Sequence, residues 1–193
     1  KVKPSECRRY FSRYGYQPSR IEAEVSGWSP DNPAVGYMRE LDYNLTRALA
    51  DSGAASKVYE LLSEASYAES FTIPKSSYGG GGLAGPSPAY MSAAILNSVA
   101  YAYDYLRPIY GDAKLSHIKS WANILESHVD LPFEAGMLDS RGAIASSRVA
   151  WGAASNQRQI FDAGIRELRS VLAKAKSNNM FFESGDAKIN DEI

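Results

Sequence analysis

Cysteine is almost missing from this sequence: Cys7 is the one thiol in 193 residues, so no internal disulfide framework is available and a packed core must hold the fold. Histidine is nearly as scarce. His117 and His128 stand alone, and one cysteine with two histidines cannot close a structural metal site unaided, so neither a metal nor a cofactor is expected. Charge of one sign is lacking as well. Lysine and arginine number 21 against 22 aspartates and glutamates, a net charge of −1 that gives no basic field for a phosphate backbone, and nucleic acid is not expected as a partner. No run approaches the roughly 18 apolar residues of a membrane helix, which argues against a membrane-spanning role. Sustained period-two alternation is absent too, and with it the signal for a sheet. No Gly-x-Ser-x-Gly marks a serine nucleophile, and the Gly79–Gly82 run lacks the Gly-Lys-Ser/Thr of a phosphate loop.

What the sequence does have is 45% apolar residues, 13 tyrosines and three tryptophans, enough for a single domain with an aromatic surplus suited to a sugar-stacking groove. Apolar residues recur at three- and four-residue intervals, so the fold class is all-α, with about seven helices. These are expected at about 4–15, 33–51, a segment around Val58–Ala65, 88–107, 113–129, 140–155 and 157–176. The short connections predict antiparallel helix hairpins. Residues 1–33 read as an N-terminal helix and extended connection, 34–182 as the helical domain and 183–193 as a tail. The stretch 72–88, with four consecutive glycines and three prolines, reads as a rim loop or lid. The chain starts at Lys1 rather than methionine, which raises the expectation of a removed signal segment and a secreted or periplasmic location.

His117 and His128 lie eleven residues apart on one expected helix, about 16 Å along its axis, so they cannot act on one atom. Asn44-Leu45-Thr46 matches a glycosylation acceptor, but it falls mid-helix.

Four segments carry a family resemblance. They are Gly53–Ala68 (GAASKVYELLSEASYA), Ile95–Arg107 (ILNSVAYAYDYLR), His117–Val129 (HIKSWANILESHV) and Ser155–Ala175 (SNQRQIFDAGIRELRSVLAKA). In order and spacing, over roughly residues 34–182, they resemble the alginate lyases of the α/α-toroid type. The resemblance implies an incomplete α/α toroid and a lyase that cleaves acidic polysaccharide by β-elimination. It also implies an anionic polysaccharide as partner and a partner chain that completes the ring.

The family supplies an Asn-His pair at the position of Leu138-Asp139-Ser140, and neither residue is present there; its later Tyr and Arg would fall beyond Ile193. Candidates to stand in are Arg141 and Arg148, seven residues apart, as neutralisers of a sugar carboxylate, with Tyr78 or Tyr90 as base. Trp151, three residues after Arg148, is the candidate stacking platform, and Tyr78, carried by the glycine loop over the groove, is a further candidate to bind substrate with Arg141 and Arg148. Two readings stand side by side: a divergent polyuronate lyase, and a non-catalytic glycan-binding or scaffold protein on a shortened toroid.

Overall fold

The computed structural model describes residues 33–73, 88–130 and 138–178. Among these residues the chain is all-helical, with six α-helices, two short 3-10 turns and no strand. The helix expected at 4–15, Tyr78 with nearly all of the 72–88 loop, and the tail from 183 lie outside the described residues. No described helix is long and apolar enough to cross a membrane.

Helix α1 (Pro33–Ala50) opens on a proline, whose fixed φ suits a first helical position. It buries Ala34, Met38, Leu41 and Ala48 along one stripe. The Asp51 carboxylate accepts the Gly53 N–H at 3.0 Å, and this local turn leads through a 3-10 turn (Ser52–Ala54) into α2 (Ala55–Tyr67). Val58, Leu61, Leu62 and Ala65 form the inner face of α2. Beyond it, Phe71 adopts a left-handed φ of 62°, and its ring meets Tyr37 at 5.5 Å. The Tyr37 phenol is buried without a partner, and that burial raises its pKa far above the usual range.

Helix α3 (Pro88–Lys114) is the centre of the molecule. Met91, Ile95, Leu96, Val99, Ala100, Ala102, Tyr103 and Leu106 are all buried, so apolar contact surrounds most of its circumference, as a core helix requires. It packs against α1, α2 and the two helices that follow. The sequence places its end near Arg107, ahead of Pro108. The helix instead runs past this proline and breaks at Gly111, where φ 78° and ψ 158° leave helical space. One proline removes one N–H near a helix end, while buried Leu106 and the Tyr105 hydroxyl, which donates to Ala48 O at 2.9 Å, hold the last turns in place.

Helix α4 (Ser116–Ser127) and a 3-10 turn (His128–Asp130) replace the single helix expected over 113–129. Helices α5 (Leu138–Ala154) and α6 (Arg158–Asn178) fall within two residues of their expected bounds. These two approach so closely that a Cβ on Gly152 would stand 2.3 Å from Phe161 N, and one on Gly164 would stand 2.8 Å from both Ala145 O and Val149 N. Only glycine fits at either place. Gly36, in contrast, faces open space on α1.

Gly164→Ala should therefore destabilise the fold by about 1–3 kcal/mol, because backbone on the facing helix must move. Gly36→Ala should stabilise it by about 0.5–1 kcal/mol through helix propensity. Urea midpoints of the two variants check this pair, and equal shifts would show that α5 and α6 do not meet as described.

Candidate functional site

A cleft of about 420 Å³ opens at the C-terminal end of α3, lined by Asp104, Arg107, Pro108, Gly111, Asp112 and Asn156. This volume lies within the range of small-ligand sites, roughly 300–1,000 Å³. Residues 104, 107, 108 and 111 follow the i, i+3, i+4, i+7 rhythm, so one face of α3 supplies most of the lining. The break at Gly111 brings Asp112 to the rim. Asn156 comes from the turn between α5 and α6, where its φ of 56° is left-handed, a conformation asparagine tolerates better than most residues.

The wall is held by polar clamps on the end of α5. Arg107 Nη1 donates to Ala154 O at 2.7 Å and Lys119 Nζ donates to Ser155 O at 2.8 Å, two cations on carbonyls that the helix itself leaves unpaired. Asn123 Oδ1 accepts from Trp151 Nε1 at 2.9 Å and from Gln157 Nε2 at 2.7 Å, which ties α4 to the same turn. Arg107 forms no ion pair among the described residues, so the rest of its guanidinium remains available to the cleft. Behind the wall, the Tyr103 hydroxyl is buried close to Asp112. Burial and then the Asp112 carboxylate raise its pKa, with Arg107 opposing.

The residues singled out in the sequence are placed elsewhere. Arg148 is 9% exposed, and its three nitrogens are engaged: Nε with Glu126 at 3.0 Å, Nη2 with Asp130 at 2.6 Å and Nη1 with Glu167 at 3.4 Å. Burial alone would lower its pKa, but Asp130 and Glu126 outweigh that and hold it above the ordinary arginine value. A guanidinium bound to three carboxylates ties α4, α5 and α6 together and offers nothing to an anionic ligand. Trp151 is fully buried, edge-on to Tyr103 at 5.2 Å, so it supplies core volume and has no face for stacking. Arg141 is half-buried in the first turns of α5 and has interactions of its own. Tyr90 is partly buried against the core, and Tyr78 lies outside the described residues. Arg141, Arg148 and Trp151 thus share a helix without building a common groove.

Asn44 is 6% exposed and its amide donates to Glu40 O at 2.8 Å, which closes the glycosylation motif in the folded chain. The two histidines separate as expected. His117 lies on α4 against Tyr67, while His128 sits in the following 3-10 turn with Nδ1 buried and unpartnered.

Sequence reasoning missed the cleft. The segment Asp104–Asp112, DYLRPIYGD, carries the signal in retrospect: polar residues at helical spacing just where proline and glycine announce a helix end. Comparison with family models, with curated proteins and with solved structures finds no match.

Two outcomes follow from these environments. Arg148→Met should cost about 2–3 kcal/mol, read as a lower denaturation midpoint; this is below the usual 3–5 for a broken buried pair because Asp130 remains mostly exposed to water. Burial lowers the pKa of both histidines below 6.5, so the unfolded chain binds more protons than the folded one beneath that value. Their contribution is complete above pH 6.5 and is lost as pH falls. The Tm should drop between about pH 7.5 and about pH 5.5, and by less in the double variant H117Q/H128Q.

Proposed function

We propose that the protein handles acidic polysaccharide on a helical scaffold of the alginate-lyase type, binding a polyuronate chain in the Arg107 cleft and acting on it by β-elimination. The observation that carries this reading is Arg107 itself. It is a guanidinium at a cleft, steadied by Ala154 O and free of ion pairs among the described residues, and guanidinium matches a sugar carboxylate in charge and in bidentate geometry. Asp104, Asp112 and Asn156 surround it with acceptors and an amide donor for sugar hydroxyls.

The helix packing supports the scaffold. Helices adjacent in sequence touch, α1 with α2, α3 with α4 and α5 with α6, while α3 lies most extensively against α5. Gly152 meets Phe161 and Arg148 meets Glu167, so positions fall along α5 as they rise along α6, the relation of an antiparallel hairpin. Helix α6 makes its main contacts with α5 and leaves Leu172 46% exposed, which suits an open toroid completed by a further chain. A secreted or periplasmic setting suits such a substrate.

In the elimination, Arg107 would neutralise the uronate carboxylate and so stabilise the charge that develops when the adjacent carbon loses its proton. Asp104 or Asp112 would accept that proton, the carbon–carbon double bond would form as the neighbouring glycosidic carbon–oxygen bond breaks, and the carboxyl so protonated, or water, would return a proton to the leaving oxygen. One observation favours the second reading, a non-catalytic glycan binder: among the described residues that line the cleft there is no phenol or imidazole.

Incubation with polyuronates while following the ultraviolet absorbance of the conjugated double bond, alongside calorimetric titration, separates these readings. Turnover supports the lyase, binding without turnover the binder, and neither removes both. Arg107→Lys keeps the charge and loses the bidentate fork, so it should weaken polyuronate binding about tenfold while leaving a neutral glucan unaffected.

A further inference from the structure

Past the Gly111 break, a second group of side chains lies on α2, the end of α3 and the start of α4. Four rings form a row: Tyr110 and Tyr59 with centroids at 4.8 Å, Tyr59 edge-on to His117 at 6.3 Å, and His117 stacked on Tyr67 at 4.5 Å with planes 8° apart. Lys114 Nζ rests over two of them, 4.4 Å from the Tyr110 centroid and 4.8 Å from that of Tyr59. Lys114 is exposed and forms no ion pair among the described residues. Such a cation is held in place by ring faces, with its charge uncancelled by any carboxylate. Tyr59 and Tyr110 are partly buried and clamp the helices together. Tyr67 is 72% exposed, and one face is already covered by His117, so its burial adds little to the core and its free face is presented to solvent.

We infer that Tyr67, His117 and Lys114, backed by Tyr59 and Tyr110, form a second subsite that takes further acidic sugars of a chain whose one residue occupies the Arg107 cleft. This rests on the reading of that cleft as a polyuronate site. The two features are contiguous. Tyr110 precedes Gly111, and Lys114 is two residues from Asp112, so its backbone is at most about 7 Å from the cleft rim. The chemistry suits the same ligand class: the ammonium takes a carboxylate and the flat Tyr67–His117 stack takes the apolar face of a sugar ring. A single-stranded nucleic acid would also stack on rings beside a lysine, and the oligonucleotide titration below separates it from the sugar.

Titration calorimetry of the full chain with a uronic acid disaccharide, a uronic acid octasaccharide and a single-stranded oligonucleotide tests this. The octasaccharide should bind more tightly than the disaccharide. Lys114→Gln and Tyr67→Ala should each weaken the octasaccharide about fivefold and leave the disaccharide unchanged. Arg107→Lys should weaken both. If Arg107→Lys weakens both sugars while the Lys114 and Tyr67 variants change neither, the subsite is overturned and the cleft reading stands. If neither sugar binds, both fall. If the two outer variants weaken only the oligonucleotide, the rings belong to a different ligand and the inference is overturned. Circular dichroism of each variant confirms that these exposed substitutions leave the fold intact.

Discussion

The burial of α3 on most of its circumference is the constraint on which the rest depends. A helix this apolar must be wrapped, and α1, α2, α4 and α5 do so. Because the wrapping extends to Leu106 and Tyr105, the helix keeps its axis through Pro108 and gives way one turn later, at Gly111. The polar cleft and the ring row with Lys114 both sit at that break.

A second constraint is the close approach of α5 and α6. Gly152 and Gly164 let backbone meet backbone, and that contact fixes Trp151 in the core and holds Arg148 among Glu126, Asp130 and Glu167. The local charge of this network, one cation against three carboxylates, accounts for its role as a tie between helices. Arg107 differs in its surroundings and not in its chemistry. Its hydrogen-bond partner is a neutral carbonyl at a helix end, which orients the guanidinium without cancelling its charge.

The polar clamps at the end of α5 connect these constraints. Arg107 from α3, Lys119 and Asn123 from α4 and Gln157 from the turn itself all converge on residues 151–157. One wall of the cleft is therefore as rigid as the helices that meet there. Substitutions in the core behind it will be felt at Asn156 even though they touch no ligand.

The helices were legible in the residue pattern. Stripes such as Met38, Leu41 and Leu45, or Val58, Leu61, Leu62 and Ala65, encode an apolar face with a 3.6-residue period, and the described helices follow them closely, because a helix is specified by neighbours within one turn. The same locality explains why α3 was expected to stop before Pro108: the proline signal is local, while Leu106 and Tyr105 hold the helix through partners far away in sequence. Tertiary structure alone decided which arginine is accessible. Arg107, Arg141 and Arg148 look alike in sequence, yet the fold surrounds Arg148 with acids drawn from three elements and sets Arg107 beside a cleft and a carbonyl 47 residues away. Nor could spacing reveal that Trp151 faces inward or that Tyr59, Tyr67, Tyr110 and His117 align in one row. Those placements depend on how helices cross, which is set by contacts between residues distant in the chain.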